Sequence, residues 1–426
     1  MSLIITALFF TCITVTKFLR TLSLHANTTK QNFKNLPPGP SFLTMMQNLV
    51  EFCNKPQQTL AKLAKLHAPD IMLLKLIQSS TTIIISSPNI AKEVLQTNDL
   101  LFSDRTVPTI VTALDHHNYS LPFLPVCPLW KDLRKICNEQ LFSTKVLDMS
   151  QGLRRKKLLD LLNDMQKYGL TGEAVDVGRA AFRACINFLS YTFVSEDFVE
   201  SVENDKDEYK DIVSTLLKLS GTANVVDVFP VLKDLLVAGT DTTAYGLERA
   251  MTELLHNPKA MSKAKQELEQ IIGKGNPIEE SDVAKLPYLQ AIIKETLRLH
   301  PPAPLLLPRK AKVDVEISGY TIPKGARVLI NAWAIGRNPN IWEDANLFLP
   351  ERFLGSNIDV KGRDFQLTPF GSGRRICPGS PLAIRMMHVM LGSLVNSFDW
   401  KLENNIKHED MDMDQPLRAI PVALNI

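Results

Sequence analysis

The 426-residue sequence lacks the cysteine spacing of a disulfide framework or a zinc ribbon. Its six cysteines, at positions 12, 53, 127, 137, 185 and 377, form no C-x-x-C pair and share no repeated spacing, which argues against both arrangements. Each cysteine is therefore expected to be a buried small hydrophobic residue in a reducing compartment. Cys377 is the exception, because its sequence neighbours are unusual.

The sequence also lacks a strong charge of one sign, internal repeats and low-complexity blocks. Its formal net charge is +3, which is too weak to indicate nucleic-acid binding, and we expect no nucleic acid as a partner. Hydrophobic residues at 45% and charged residues at 22% are ordinary for a globular protein. The length permits two or three domains, but no change of composition divides the body of the chain.

An apolar run opens the chain, from Leu3 to Val15, and the basic residues Lys17 and Arg20 follow it. A cleaved signal peptide carries its basic residues before the apolar run, so the order here favours a signal-anchor over a signal peptide or a peripheral attachment. Basic residues hold their side of an anchor in the cytosol. We therefore expect a membrane anchor over residues 1–20 and a cytosolic body.

A basic, proline-rich linker is predicted over residues 21–40, because proline makes the LPPGP segment a stiff, extended spacer. The body, residues 41–426, begins with β-branched and apolar runs at 71–76 and 81–86 that predict two strands. Most of the remaining pattern is helical, with strand-like pieces again towards the C-terminal part. The predicted fold class is therefore mainly α with small β-sheets.

The stretch PFGSGRRICPGSPLA, residues 369–383, surrounds Cys377 with glycines and with Arg374 and Arg375. Backbone N–H groups and nearby cations lower the pKa of a thiol towards the thiolate, the form that binds metal. A thiolate with no second ligand close by suits a haem, whose porphyrin supplies four ligands. The alternative, a thiol enzyme with Cys377 as nucleophile, requires a histidine base, and His388 is the nearest downstream.

The spacing F-x-x-G-x-R-x-C-x-G, met by Phe370, Gly373, Arg375, Cys377 and Gly379, resembles the haem-binding loop of the cytochrome P-450 monooxygenases. This resemblance implies the cytochrome P-450 fold and haem b as cofactor, with Cys377 as the axial ligand of the iron. It also implies that NADPH acts only indirectly, through NADPH-cytochrome P-450 reductase as the partner.

A second motif, KETLRLHPP, contains Glu295 and Arg298 at a spacing that places both on one helix face. Such a pair alone is usually a solvated helix pair. The resemblance instead implies a buried structural triad that braces the haem core, with Arg352 of the PERF segment as the third member.

The segment LLVAGTDTTAYG, residues 235–246, is poor helix chemistry, because threonine and aspartate compete for backbone hydrogen bonds. It can mark a helix end or turn, or a local kink. The resemblance implies a kink that makes room for dioxygen. It assigns Asp241 and Thr242 to proton delivery, and Ala238 and Gly239 to the wall of the oxygen groove.

The carboxylates of a haem require cationic partners, for which bidentate arginine is well suited. Trp130 and Arg134 match the family's W-x-x-x-R and share one helix face. Arg105, Arg309 and Arg375 are the other candidates implied by the pattern, although Arg105 and Arg309 could be ordinary surface charges.

The resemblance covers nearly the whole chain and is nearest to plant microsomal enzymes of the geraniol 8-hydroxylase-like branch. It implies a small apolar substrate such as a monoterpenol, and the endoplasmic reticulum membrane as location. Lys131, Lys135 and the run Arg154–Lys157 are candidate contacts for an acidic reductase face, although plain solvation is the alternative.

One departure from the family concerns length, because the chain between Arg134 and Ala238 is short by about 70 residues, several helices' worth. The seam lies near residues 233–234, so part of the substrate-covering helices would be missing. Loss of that cover would admit water to the site. Two hypotheses follow, an active haem monooxygenase or a catalytically impaired, membrane-anchored haem-binding protein.

Overall fold

A computed structural model describes residues 35–75, 81–195, 197 and 230–424. The predicted anchor over residues 1–20 and most of the predicted linker lie outside these ranges. Within them, no helix combines the length and the apolar character needed to cross a bilayer.

Helices dominate the described chain, as the sequence predicts. They are α1 (Phe42–Gln47), α2 (Leu49–Asn54), α3 (Pro56–His67), α4 (Pro88–Lys92), α5 (Pro128–Ile136), α6 (Thr144–Met149), α7 (Gln151–Thr171), α8 (Val177–Val194), α9 (Pro230–His256), α10 (Pro258–Ile271), α11 (Pro287–Leu299), α12 (Ala332–Ile335) and α13 (Ser380–Ser397). Proline occupies the first position of α3, α4, α5, α10 and α11. Its fixed φ and missing N–H suit that position.

The strands are short, and all but β4 lie before residue 106 or after residue 308. They are β1 (Ile71–Lys75), β2 (Thr81–Ile85), β3 (Asp104–Arg105), β4 (Val175–Asp176), β5 (Arg309–Lys310), β6 (Val315–Ile317), β7 (Tyr320–Ile322), β8 (Arg327–Ile330), β9 (Phe398–Leu402) and β10 (Arg418–Ala423). The strands predicted at 71–76 and 81–86 are confirmed as β1 and β2. With the dominant helices, they confirm the predicted fold class.

The largest sheet has the strand order β1-β2-β8-β5-β3. Its β2 and β8 run parallel, with Thr82 opposite Arg327, and the other neighbouring strands run antiparallel. A three-stranded sheet has the order β4-β10-β9, and β6 and β7 form a hairpin. The sheet places Arg105 on β3 directly opposite Arg309 on β5.

Alternation along β1 joins two parts of the hydrophobic core. Ile71 and Leu73 pack into one buried cluster, and Met72 and Leu74 pack into another, because successive strand side chains point to opposite faces. The largest cluster is formed mainly by helices and includes Leu247 of α9. The central helix α9 is therefore held on its buried side by core packing.

The segment at residues 235–246 lies inside α9, so its interpretation as a helix end or turn is wrong. The hydroxyls of Thr240 and Thr242 donate to the carbonyls of Leu236 and Ala238, four residues earlier. Back-bonding of this kind satisfies the threonine hydroxyls without interrupting the helix.

Gly336 provides a test of the close packing between α12 and the end of α11. It ends α12 with φ −64°, and a Cβ there would lie 2.4 Å from the backbone oxygen of Arg298. We expect Gly336→Ala to lower the free energy of unfolding by about 2–3 kcal/mol, because that backbone oxygen cannot rotate away. Chemical denaturation followed by circular dichroism measures the change.

Gly152 is the matched control, because a Cβ at this position in α7 meets nothing within 4 Å. Gly152→Ala should leave stability unchanged or raise it by about 0.5 kcal/mol. Equal stabilities for the two variants would contradict the close approach at Gly336.

Candidate active site

Cys377 lies in a tight loop before α13, and two glycines shape that loop. Gly371 and Gly373 have φ values of 72° and 69°, the left-handed region that favours glycine. A Cβ at Gly373 would lie 1.9 Å from the backbone oxygen of Leu95. The Cys377 N–H donates to the Phe370 carbonyl at 3.0 Å, which closes the loop.

The immediate environment of the Cys377 thiol differs in part from the expectation. Burial raises its pKa, whereas the N–H groups of Gly379 and Ser380 and the charge of Arg134 act to lower it. The expected backbone donors are therefore present, but burial outweighs them. A thiolate at this position thus needs a further positive charge, such as a metal ion at the sulfur.

The two arginines beside Cys377 in the sequence have other partners. Arg374 Nε forms an ion pair with Asp99 Oδ2 at 3.0 Å. Arg375 Nε donates to the Ser103 carbonyl at 3.0 Å. The expectation that both arginines stabilise the thiolate is not supported by these contacts, and Arg134 of α5 is the cation whose charge acts on Cys377.

Four of the predicted cationic residues share one buried region. The pKa of Arg105 is lowered well below its usual range by burial, and then by the charges of Arg309 and Arg375. Burial and Arg375 lower the pKa of Arg309 to about 10. Burial lowers that of Arg375 to about 10; the charge of Asp104 acts against this shift, and that of Arg134 adds to it. The guanidinium groups therefore repel one another in a region of low exposure.

Backbone carbonyls hold these guanidinium groups. Arg105 Nη1 donates to Leu307 at 2.6 Å, and Arg309 Nη2 donates to Ser372 at 3.2 Å. Arg309 Nη1 is buried without a hydrogen-bond partner. Within the described ranges, neither these residues nor Arg375 and Arg134 form an ion pair with a carboxylate. Arg309 is only 4% exposed and is therefore not an ordinary surface charge, whereas Arg105 is half-buried.

Trp130 joins the same cluster from α5. The Arg375 guanidinium carbon lies 4.6 Å from the centroid of its ring, within the range of a cation–π contact. The Trp130 indole N–H donates to the Leu121 carbonyl at 3.2 Å. All five predicted propionate partners are therefore either members of the buried cluster or in direct contact with it.

The cluster fits the anionic edge of a haem. Cations of low exposure that form no ion pair are costly, and the orphaned N–H of Arg309 adds an unsatisfied donor. Two carboxylates would offset both costs through charge-assisted hydrogen bonds. The charge of Arg134 acts on the Cys377 thiol, so the thiol is suitably placed to be a ligand of the iron of the same cofactor.

An exposed stripe runs along α9, although the opposite side of this helix is buried. Ala238, Asp241 and Thr242 are exposed, and Val237 and Tyr245 show 57% and 36% of their surface. Residues three and four apart share one helix face. The structure therefore brings the predicted proton-delivery pair and Ala238 onto a single face that is available to a ligand.

Gly239 lies beside this stripe and has a packing role of its own. A Cβ at Gly239 would lie 2.9 Å from Leu189 Cδ1 of α8. The glycine therefore allows α8 and α9 to approach closely. Its assignment to an oxygen groove remains a prediction.

The three members of the predicted triad meet in the core. Arg298 donates through Nε and Nη2 to the two Glu295 oxygens at 2.6 and 2.7 Å, and both side chains are fully buried. Arg352 Nε lies 3.0 Å from Glu295 Oε1. Arg298 Nη1 also donates to the Ala345 carbonyl at 2.7 Å. The solvated-pair interpretation is therefore wrong.

His388 does not suit the thiol-enzyme alternative. It lies buried on α13 with Nδ1 2.6 Å from the carbonyl of Ile384 in the same helix. Burial lowers its pKa to about 4, which makes it a weak base near neutral pH.

The local sequence pattern did not reveal Ser380, whose backbone N–H acts on the Cys377 sulfur. Its position at the first residue of α13 was the available signal, because helix N-termini favour negative charge. The pattern also did not reveal Asp234, which contacts His116 and Ser120. A sequence separation of more than 100 residues leaves no local pattern for that contact.

Comparison with known proteins identifies the class and then the family. The fold and the paired cysteine and arginine sites are those expected of a haem-thiolate oxidoreductase. The sequence model of the family described as Cytochrome P-450 matches residues 37–236 and 231–422. The chain belongs to the cytochrome P-450 family, and it is a monooxygenase with haem b as cofactor.

Three of the curated relatives are plant proteins. A 7-ethoxycoumarin O-deethylase of Helianthus tuberosus is 44% identical over 467 residues, covering 92% of this chain and 95% of that protein. A geraniol 8-hydroxylase of Catharanthus roseus is also 44% identical, covering 92% and 94%. A ferruginol synthase of Isodon rubescens is 40% identical, with the same coverage. The predicted resemblance to the plant, geraniol 8-hydroxylase-like branch is confirmed.

Solved structures agree on the fold. A zebrafish cytochrome P-450 in a structure with abiraterone has a TM-score of 0.71 to this chain at 22% identity. The superposition covers 87% of this chain and 99% of the zebrafish chain. At this identity the likeness shows the fold alone.

The buried triad generates a stability prediction. Glu295→Gln leaves Arg298 as a buried charge with a neutral partner, so we expect a loss of about 3–5 kcal/mol in the free energy of unfolding. Denaturant melts with Glu316→Gln as control measure the effect. Glu316 is exposed on β6, and its variant should lie within about 0.5 kcal/mol of the unmodified protein. Similar small losses of stability in both variants would contradict a stabilising role for the triad.

Proposed function

We propose that this protein inserts one oxygen atom from O2 into a small apolar plant metabolite, a terpenoid such as a monoterpenol. The observation that carries this proposal is the exposed stripe on α9, where Asp241 and Thr242 stand beside apolar Val237 and Ala238. Such a face combines surface for an apolar substrate with groups that move protons. The identity to geraniol 8-hydroxylases supports the substrate class.

The residues around the cofactor have distinct proposed roles. A haem bound through a cysteine thiolate supplies oxygen activation that favours O–O cleavage. Cys377 holds the iron, and Phe370, Gly373 and Gly379 shape the loop that presents its sulfur. Arg105, Arg134, Arg309 and Arg375 hold the propionates by charge and hydrogen bonds, and Trp130 completes this set through the contact of its ring with Arg375.

Four residues of α9 are proposed to deliver protons and to leave room for dioxygen. Asp241 is exposed on α9 and is proposed to deliver protons towards the reacting oxygen. Thr242 donates its hydroxyl hydrogen to the Ala238 carbonyl, which leaves its oxygen able to accept a hydrogen bond. Ala238 and Gly239 are proposed to line the adjoining oxygen groove, where small side chains leave room.

The proposed electron source is NADPH-cytochrome P-450 reductase. This protein is proposed to meet it at the endoplasmic reticulum membrane, held there by an anchor over residues 1–20. Lys131 and Lys135 are exposed on α5, the helix that carries Trp130 and Arg134, and so support an acidic partner surface. The run Arg154–Lys157 does not fit as a whole, because Arg154 and Lys157 are each only 4% exposed.

The shortening near residues 233–234 is part of the proposal. The family matches two stretches that meet at residues 231–236, and an alignment of 467 positions to the Helianthus relative exceeds the 426 residues of this chain. Both observations support a missing segment in the domain over residues 41–426. They also keep open a second function, a haem-binding protein with impaired turnover, since lost cover admits water.

Cys377→Ser tests the ligand. Expressed in microsomes, the unmodified protein should give the carbon-monoxide difference band of a reduced thiolate-bound haem, and the variant should lose it because a serine hydroxyl does not replace the thiolate. Cys53→Ser, at an exposed cysteine, should retain the band. A full-length relative serves as expression control, and absence of the band from the unmodified protein would overturn the proposal.

Thr242→Ala tests proton delivery, with geraniol as substrate. We expect the variant to keep the carbon-monoxide band but to form about tenfold less product for each NADPH consumed. This loss is smaller than the full effect of removing a general acid. Thr240→Ala is the matched control, since Thr240 makes the same back-bond from the buried side of α9. Full coupling in Thr242→Ala contradicts the role, and an unmodified protein with the band but no product favours the impaired form.

A further inference from the structure

A polar contact outside the predicted site joins the start of α9 to residues 116–121. Asp234 Oδ1 lies 2.9 Å from His116 Nε2 and accepts a hydrogen bond from the Ser120 hydroxyl at 3.0 Å. Its Oδ2 accepts from the Leu121 N–H at 3.0 Å. One carboxylate therefore binds three donors from a segment more than 100 residues away in the sequence.

This carboxylate is in a costly position. The Asp234 side chain is only 10% exposed, and burial raises its pKa, whereas the contacts to His116, Ser120 and Leu121 lower it. A buried carboxylate is tolerated when such donors satisfy it. The contact therefore has a defined geometry, which a solvated surface pair would not impose.

The segment that Asp234 holds continues into the arginine cluster. Leu121 donates its N–H to Asp234, and its carbonyl accepts from Trp130 Nε1 at 3.2 Å and from Arg375 Nη1 at 3.3 Å. The Leu124 carbonyl accepts from Arg375 Nη2. The two polar groups of Leu121 thus connect α9 with two proposed propionate partners.

The next residue extends the connection to a third partner. The Pro122 carbonyl accepts from Arg105 Nε at 3.2 Å. Leu121 and Leu124 are each 5% exposed, so their side chains are packed while their backbone oxygens face the cations. A shift of this short segment would move the acceptors of Arg105, Trp130 and Arg375 together.

We propose that Asp234 is a positioning residue that fixes residues 116–121 against α9 and thereby orients the carbonyls that hold Trp130 and Arg375 in the haem site. This inference rests on the proposed role of Trp130 and Arg375 as propionate partners. Asp234 itself touches neither of them through a hydrogen bond in the described contacts. Its effect passes through the backbone of Leu121.

Asp234→Asn tests the inference in the full-length, haem-loaded protein. The amide keeps one acceptor but turns an NH2 group towards a donor, so the contact loses a charge-assisted hydrogen bond. We expect amide hydrogen exchange across residues 116–124 to become about tenfold faster. Haem transfer to apomyoglobin should accelerate several-fold, while exchange in β2 and the carbon-monoxide band stay unchanged.

Variants with smaller changes distinguish a local effect from a general loss of folding. Ser120→Ala removes one donor and keeps the carboxylate, so it should show the same pattern with a smaller effect. His116→Gln keeps an N–H donor and should lie closer to the unmodified protein than His116→Ala. Glu409→Gln removes an exposed carboxylate, 77% of whose side-chain surface is accessible, and should change neither readout.

The outcomes separate this inference from the proposed function. Unchanged exchange and unchanged haem loss in Asp234→Asn overturn the positioning role alone. Equal acceleration in β2 and in residues 116–124 also overturns it, because that result describes a general stabilising contact. If the unmodified protein carries no haem when purified and gives no carbon-monoxide band, the proposed function is overturned, and the positioning role falls with it.

Discussion

A charge constraint governs the interior of this protein. Burial lowers the pKa values of Arg105, Arg309 and Arg375, and the charge of Arg375 lowers those of Arg105 and Arg309 further. Within the described residues none of the three forms an ion pair with a carboxylate. Backbone carbonyls and an aromatic ring contact them, and the carboxylates of Asp99 and Asp104 offset part of the charge of Arg309 and Arg375 without forming ion pairs with them. Folding thus concentrates positive charge where an anionic ligand would relieve it. Binding to the folded state alone then stabilises the whole chain.

The surrounding scaffold keeps this charged region in place. Glu295 and Arg298 form a fully buried pair on α11, and Arg352 ties that pair to the segment preceding the cysteine loop. The Leu349 N–H also donates to Glu295 Oε1 at 2.8 Å. A buried network of this kind costs desolvation but has a unique geometry. It therefore supports a site whose parts come from distant regions of the sequence.

Local patterns in the sequence were sufficient for part of this structure. The i, i+3 spacing of Glu295 and Arg298 indicated their pairing, and the short β-branched and apolar runs indicated β1 and β2. Each of these features depends on neighbours within a few residues. The family resemblance supplied the order of the motifs and the membership of the arginine cluster.

Other features depend on contacts that no local pattern contains. Arg374 looked like a partner for the thiolate, but it pairs with Asp99, 275 residues earlier. The net direction of the Cys377 pKa is set by burial, which is a property of the packed whole. The contacts of Asp234 with His116 and Ser120 were missed for the same reason, since these residues approach one another only after folding.

The parallel pairing of β2 with β8 has a consequence for biosynthesis. Because Thr82 lies opposite Arg327, this sheet cannot be completed until about three quarters of the polypeptide has left the ribosome, and non-local pairings of this kind form slowly. Arg105 and Arg309 occupy strands of the same sheet. The cofactor pocket is consequently a late product of translation, and the nascent chain must be protected from aggregation until its final segments are made.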